Sequence, residues 1–137
     1  MTASTLICLD VGERRIGVAK ADTSVRLAVP HSTIEVDGTE IEKIQAVLDD
    51  ERASVLVVGY PRNQQGEATQ QTRYVEEFSE RLKENGVVLD IMFQDESLTS
   101  VMAEQQLKAH NKPYTKGDID ARAASIILQD YVEERYG

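Results

Sequence analysis

The sequence predicts an α/β protein built on a mixed five-stranded sheet with helices on both faces, in the order βββαβαβαα. Three observations carry this reading. The first third falls into three short strand-like runs joined by turns. The remainder alternates β-branched runs with segments of helical period. The run Val55-Leu56-Val57-Val58 has no polar interruption, as in a strand covered on both sides. An antiparallel start followed by parallel crossover units describes such a sheet.

The first strand is expected over residues 4–10, apolar through Leu6-Ile7-Cys8-Leu9 and closed by Asp10. Gly12 and Glu13 make the turn, and residues 14–21 return antiparallel. A third strand over 26–35 contains Pro30, which cannot donate to a ladder and so belongs at an edge or a bend. Ile41, Ile44, Val47 and Leu48 give a helix over 39–52. The uninterrupted strand ends at Gly59-Tyr60-Pro61. A polar helix over 67–85 carries the stripe Tyr74, Val75, Phe78 and Leu82, and stops at Asn85-Gly86. A fifth strand runs from Val87 to about Phe93. A helix over 98–109 follows, with Val101, Met102 and Leu107 as its stripe, then a loop over 111–117. Asp118 is the expected N-cap of a last helix running to 135.

At 137 residues the chain is read as one domain, 1–137, with 41% hydrophobic and 28% charged residues. It shows no apolar run near the roughly 18 residues a membrane span needs, and no secretory signal pattern. No membrane partner is therefore expected. The lone Cys8, inside an apolar strand, reads as a buried hydrophobe in a reducing compartment, and the setting is expected to be cytoplasmic. His31 and His110 do not form a ligand pair by spacing, and no Cys/His zinc pattern exists.

The net charge of −9 speaks against a nucleic-acid partner on average. Its distribution is uneven, however. Residues 105–117 hold Lys108, His110, Lys112 and Lys116 with no acid, and residues 14–26 hold Arg14, Arg15, Lys20 and Arg26 against only Asp22. The acidic excess lies mainly in the helices expected over 39–52 and 67–85, where it reads as solvated surface.

Three acids stand where an apolar element meets a loop: Asp10, Glu96 (in the pair Asp95-Glu96) and Asp120. Two strand ends and a helix start can meet at one sheet edge, and carboxylates gathered there suit hard divalent cations able to cleave a phosphodiester. Each has a plainer reading. Asp10 can hydrogen-bond its own turn. Asp95 and Glu96 can favour the following helix dipole, with Ser97 or Thr99 as its N-cap. Asp120 begins the face that continues through Ala123, Ala124, Ile127 and Leu128; an acid there needs partners, and the alanines would let the helix approach the sheet closely. The loop from Gly59 to Gly66 can hold a phosphate through backbone N–H groups, Arg62 and Asn63, or be an ordinary crossover.

The blocks Leu9-Asp10-Val11-Gly12-Glu13-Arg14-Arg15-Ile16-Gly17-Val18-Ala19, Val57-Val58-Gly59-Tyr60-Pro61, Asp95-Glu96-Ser97-Leu98-Thr99-Ser100 and Ile119-Asp120-Ala121-Arg122-Ala123-Ala124 resemble, in order, those of the YqgF family. That family is described as Holliday-junction-resolvase-like and as a pre-16S ribosomal RNA nuclease. The resemblance spans nearly the whole chain. It implies a ribonuclease-H-like fold, a bacterial cytoplasmic setting and trimming of the 5′ end of small-subunit ribosomal RNA. The family acids map onto Asp10, Glu96 and Asp120, and Asp95 can share the site. Where the family usually shows Arg after Asp-Glu, this chain has Ser97; if that Arg holds phosphate, Arg62 or Arg122 must substitute. Related resolvases carry an acid at the end of the central strand, where this chain reads Val58-Gly59, so the second acid must come from Glu96.

The expectation is a Mg²⁺- or Mn²⁺-dependent phosphodiesterase acting on RNA. Asp10 would bridge two cations roughly 4 Å apart, with Glu96 and Asp120 each completing one coordination sphere. Arg14, Arg62, Asn63, Lys108, Lys112 and Lys116 would hold the nucleic-acid backbone. A branched-DNA resolvase, which needs a symmetric dimer, and a non-catalytic ribosomal-RNA-binding assembly factor are the alternatives; a monomer is favoured because no dimer face is evident.

Overall fold

The structure, a computed structural model, describes residues 3–63, 65–96, 99–110 and 113–137. Its elements are β1 (Thr5–Val11), β2 (Arg15–Asp22), β3 (Ala28–Glu35), α1 (Glu40–Asp50), β4 (Ala53–Pro61), α2 (Gln70–Glu84), β5 (Asp90–Glu96), α3 (Thr99–Ala109) and α4 (Lys116–Tyr136). This is the predicted order. The five strands form one sheet, β3-β2-β1-β4-β5, antiparallel from β3 to β1 and parallel from β1 through β4 to β5. Pro30 lies on the edge strand β3, beside a register shift between Val18 and Ala19, where its missing N–H breaks no inner ladder.

Strand alternation divides the core. Ile7, Leu9, Ile16, Val18, Leu56 and Val58 face α1 and α2, meeting Ile44, Leu48, Val75, Phe78 and Leu82. Leu6, Cys8, Ala19, Ala21 and Val57 face α4, meeting Ala124, Ile127, Leu128 and Tyr131. The second face is built from smaller side chains, so α4 lies close to the sheet.

Several boundaries differ from expectation, each for a local reason. The long polar helix starts at Gln70 because Thr69 and Thr72 form a reciprocal capping box. The last helix starts at Lys116, not after Asp118. Thr115 is its N-cap, and Asp118 returns a bond to the Thr115 N–H from the third helical position. Asp120 consequently sits in the second turn. Val87 lies just past α2, where its N–H donates back to Leu82 O at 3.0 Å and closes the helix end, and β5 begins only at Asp90. Among the described side chains of α3, Ala103 is buried against α4 while Met102 of the expected stripe is exposed, and Val101 lies outside them. The N-cap proposed at Ser97 lies outside the described residues. No described helix is long and apolar enough to cross a membrane.

Candidate active site

Asp10 is the penultimate residue of β1, and alternation with Leu6 and Cys8 turns its side chain toward α4. Glu96 ends β5 on the same face as Gln94 and Met92. Between these strands runs β4, and Gly59 is what lets the two acids meet across it. A Cβ at Gly59 would stand 2.8 Å from Glu96 Oε2 and 2.9 Å from Ile127 Cδ1. The missing acid on β4 is thus a space, and Glu96 fills it from the neighbouring strand.

The pair is electrostatically strained. Burial, then the proximity of Asp10, pushes the Glu96 carboxyl up to about 8, and a hydrogen bond to Asp10 holds its proton. Burial likewise raises Asp10 to about 6; the bond from Glu96 opposes the shift, and the charge of Asp120 adds to it. The two carboxylates therefore titrate as a dyad that retains a proton near neutrality. Among the described residues no backbone N–H or other donor reaches the buried Glu96 Oε2. A buried oxygen lacking a donor, beside a second carboxylate, is the environment a hard cation would relieve. The Cys8 thiol beneath them is pushed well up by burial, with Asp10 and Glu96 contributing, so it stays protonated.

Asp120 reaches this edge through Gly17. In the β1–β2 register Gly17 is opposite Asp10. A Cβ on Gly17 would fall 2.0 Å from the Asp120 carbonyl oxygen and 3.0 Å from the Ala121 nitrogen, so only glycine allows α4 to rest its backbone on β2 there. The Asp120 side chain is engaged with Arg15, whose Nε donates to Oδ2 at 2.6 Å. Among the described residues, no three acidic, histidine or cysteine side chains form a ready-made ion cage. Asp10 and Glu96 make a pair, and Asp120 stands beside them, tied to Arg15.

The other predicted residues are placed differently. Asp95 faces the opposite side of the sheet, where it pairs with Arg62 at 2.9 Å and is 68% exposed; strand alternation separates it from Glu96. Arg62 also lies over the Tyr60 ring. Asn63 Oδ1 accepts from the backbone of Gln65 and Glu67, at 3.0 and 2.8 Å, and so shapes its own loop. Arg14, Lys108 and Lys116 are exposed. Lys112 lies outside the described residues. Arg122 lines a groove with Gln106, Ser125 and Asp130, its buried Nε without a hydrogen-bond partner among the described residues.

Three contributors were not anticipated: Arg15, Gly17 and Gly59. A signal for two of them was present. Arg15, Gly17, Ala19 and Ala21 alternate along β2, and small residues at every second position mark the face a helix must approach.

A sheet antiparallel on one half and parallel on the other, with a final helix across it, is a ribonuclease-H-like fold, and the chain's family makes it a nuclease. Solved structures agree on the fold. Thermus thermophilus RuvC in complex with a Holliday junction superposes with a TM-score of 0.60 at 13% identity, covering 97% of this chain and 96% of that one. Fowlpox virus resolvase with junction DNA gives 0.57 at 9% identity, covering 95% and 97%. Residues 4–134 match the family model described as "RuvX: Holliday junction resolvase", and the chain belongs to that family. Relatives named "Putative pre-16S rRNA nuclease" occur in Chloroflexus aurantiacus, 41% identical over 98% of this chain and 90% of the relative, and in Synechocystis sp., 39% identical over 93% and 86%.

Proposed function

We propose that this chain is a single-domain, Mg²⁺- or Mn²⁺-dependent nuclease that trims the 5′ end of precursor 16S ribosomal RNA in the bacterial cytoplasm, acting as a monomer. The observation that carries the reading is the half-buried Asp10–Glu96 pair, whose Glu96 Oε2 is itself buried and lacks a donor among the described residues, in a space kept open by Gly59. The oxygen-only donor set suits a hard cation. Asp10 and Glu96 would hold it, and Asp120 would complete the set on leaving Arg15.

When bound, divalent cations acidify the attacking water and neutralise charge on the leaving oxygen. The residues supply the rest. Gly17 and Gly59 fix the distances between three elements. The apolar bed of Cys8, Val57 and Ile127 keeps the local dielectric low, which strengthens attraction between the carboxylates and a cation. Arg14, Lys108 and Lys116 are exposed cations available to the flanking phosphates, so binding weakens as salt rises.

The test is a 5′-extended precursor RNA incubated with purified protein in Mg²⁺ or Mn²⁺. Cleavage by the wild type, lost in a folded Asp10→Asn variant, is expected. An Asp10→Asn variant with full activity, or a wild type that binds this RNA without ever cutting it, overturns the reading. The description of the family as a Holliday junction resolvase favours one second reading, a branched-DNA endonuclease. A four-way junction in parallel reactions, with sedimentation to detect a dimer, separates the two.

A further inference from the structure

Arg15 and Asp120 form an ion pair at the edge of the carboxylate site, with side chains 28% and 23% exposed. Among the described residues the contact uses one guanidinium nitrogen and one carboxylate oxygen. It is not the two-bond fork by which arginine clamps a carboxylate most firmly. Arg15 approaches from β2, two residues before Gly17, where Asp120 rests. Gly17, on which the Asp120 backbone rests, is opposite Asp10 in the β1–β2 register, so the guanidinium balances an acid beside the dyad. A divalent cation taking Asp120 as a ligand would compete with this guanidinium for the same oxygen and would be repelled by its charge.

Resting on the metal reading above, we infer that Arg15 is a positioning residue that works by exchange. It occupies Asp120 while no cation is there, yields it when a cation binds, and then offers its guanidinium to a phosphate of the nucleic-acid strand. Phosphate is a suitable second partner, because the planar fork fits its oxygens as it fits a carboxylate. The exchange keeps Asp120 ordered in the metal-free protein and couples cation entry to substrate grip.

Two binding measurements on the whole chain test this without reading cleavage. In calorimetric titration with Mn²⁺ and no nucleic acid, Arg15→Gln is expected to bind roughly tenfold more tightly than wild type, because a competing cation has been removed. Arg15→Lys, which keeps the charge, and Lys83→Gln on α2 are expected to match wild type. In EDTA, Asp120→Asn, which releases Arg15 without a metal, is expected to bind single-stranded RNA several-fold more tightly, and the double variant Arg15→Gln/Asp120→Asn to lose that gain. Equal or weaker Mn²⁺ binding by Arg15→Gln overturns the exchange and leaves the metal site standing. An RNA gain that is absent, or that survives in the double variant, overturns it too. A wild type that takes up no Mn²⁺ overturns both the exchange and the metal reading beneath it.

Discussion

The two faces of the sheet at the ends of β4 and β5 hold similar residue types in opposite states. Toward α2, Asp95 pairs with Arg62, Arg62 covers Tyr60, Tyr60 O–H donates to Glu76 at 3.2 Å, and Tyr60 packs on Phe93 at 4.9 Å between ring centroids. Each of those charges has a partner and water. Toward α4, one residue further along β5, Glu96 has no cationic partner among the described residues, and burial and the charge of Asp10 raise its carboxyl in a space that a single methyl would fill. Charges that are paired and wet need nothing more from a ligand. Charges that are half-buried and mutually repelling do, and chemistry belongs where they are held so. Neighbours in sequence are thus assigned to different tasks by the two-residue period of a strand.

The largest expected effect tests that division directly. Glu96→Gln should lower cleavage by roughly a thousandfold or more, since it removes a cation ligand, while Asp95→Asn stays within about twofold. Comparable losses in both would erase the distinction between the faces. Next comes Gly17→Ala, which forces a methyl into the Asp120 carbonyl. Backbone on both sides cannot yield easily, so a loss of about 3 kcal/mol or more is expected in urea unfolding. Stability unchanged by that substitution would mean α4 does not depend on this close approach.

The dyad also predicts a pH dependence. Both carboxyls are raised on folding, Asp10 from 3.8 to about 6 and Glu96 from 4.5 to about 8. Their contribution is fully present below the unfolded values, where both states are protonated. It is lost as pH rises through the folded values, because the unfolded chain releases those protons more readily. Metal-free protein should therefore be less stable at pH 8 than at pH 5, on the order of a few kcal/mol, and Glu96→Gln should flatten the slope. Added Mn²⁺ should restore stability at pH 8. A slope insensitive to Glu96→Gln would place its origin elsewhere. Smaller still, Gly59→Ala crowds two side-chain ends rather than backbone. It should weaken Mn²⁺ binding by about tenfold while costing only about 1 kcal/mol, as is usual for modest overpacking.

Much of this arrangement was readable in advance. The element order, the edge placement of Pro30 and the apolar stripes of α1 and α2 follow from local period and backbone chemistry, which neighbouring residues express without help. Asp10, Glu96 and Asp120 stood out because each closes or opens an apolar element. The basic candidates were harder to place. Asn63 looked free to bind phosphate but is used by its own loop, and Arg62 is taken by Asp95. A side chain's competing partners are set by geometry that composition does not carry. The capping box shared by Thr115 and Asp118 shifted α4 by a few residues for the same reason, since Asp118 can serve equally as cap or as third helical residue.

The amino-acid sequence alone determined the fold class and the acids to watch, because hydrophobic period and element ends are local properties. Tertiary structure decided which of those acids meet. Gly17 lowers α4 onto β2, Gly59 opens β4 to Glu96, and Arg15 takes hold of Asp120, each by contact between residues distant in the chain. Such contacts depend on how strands register and how closely a helix can approach, and no window along the sequence contains both sides of them.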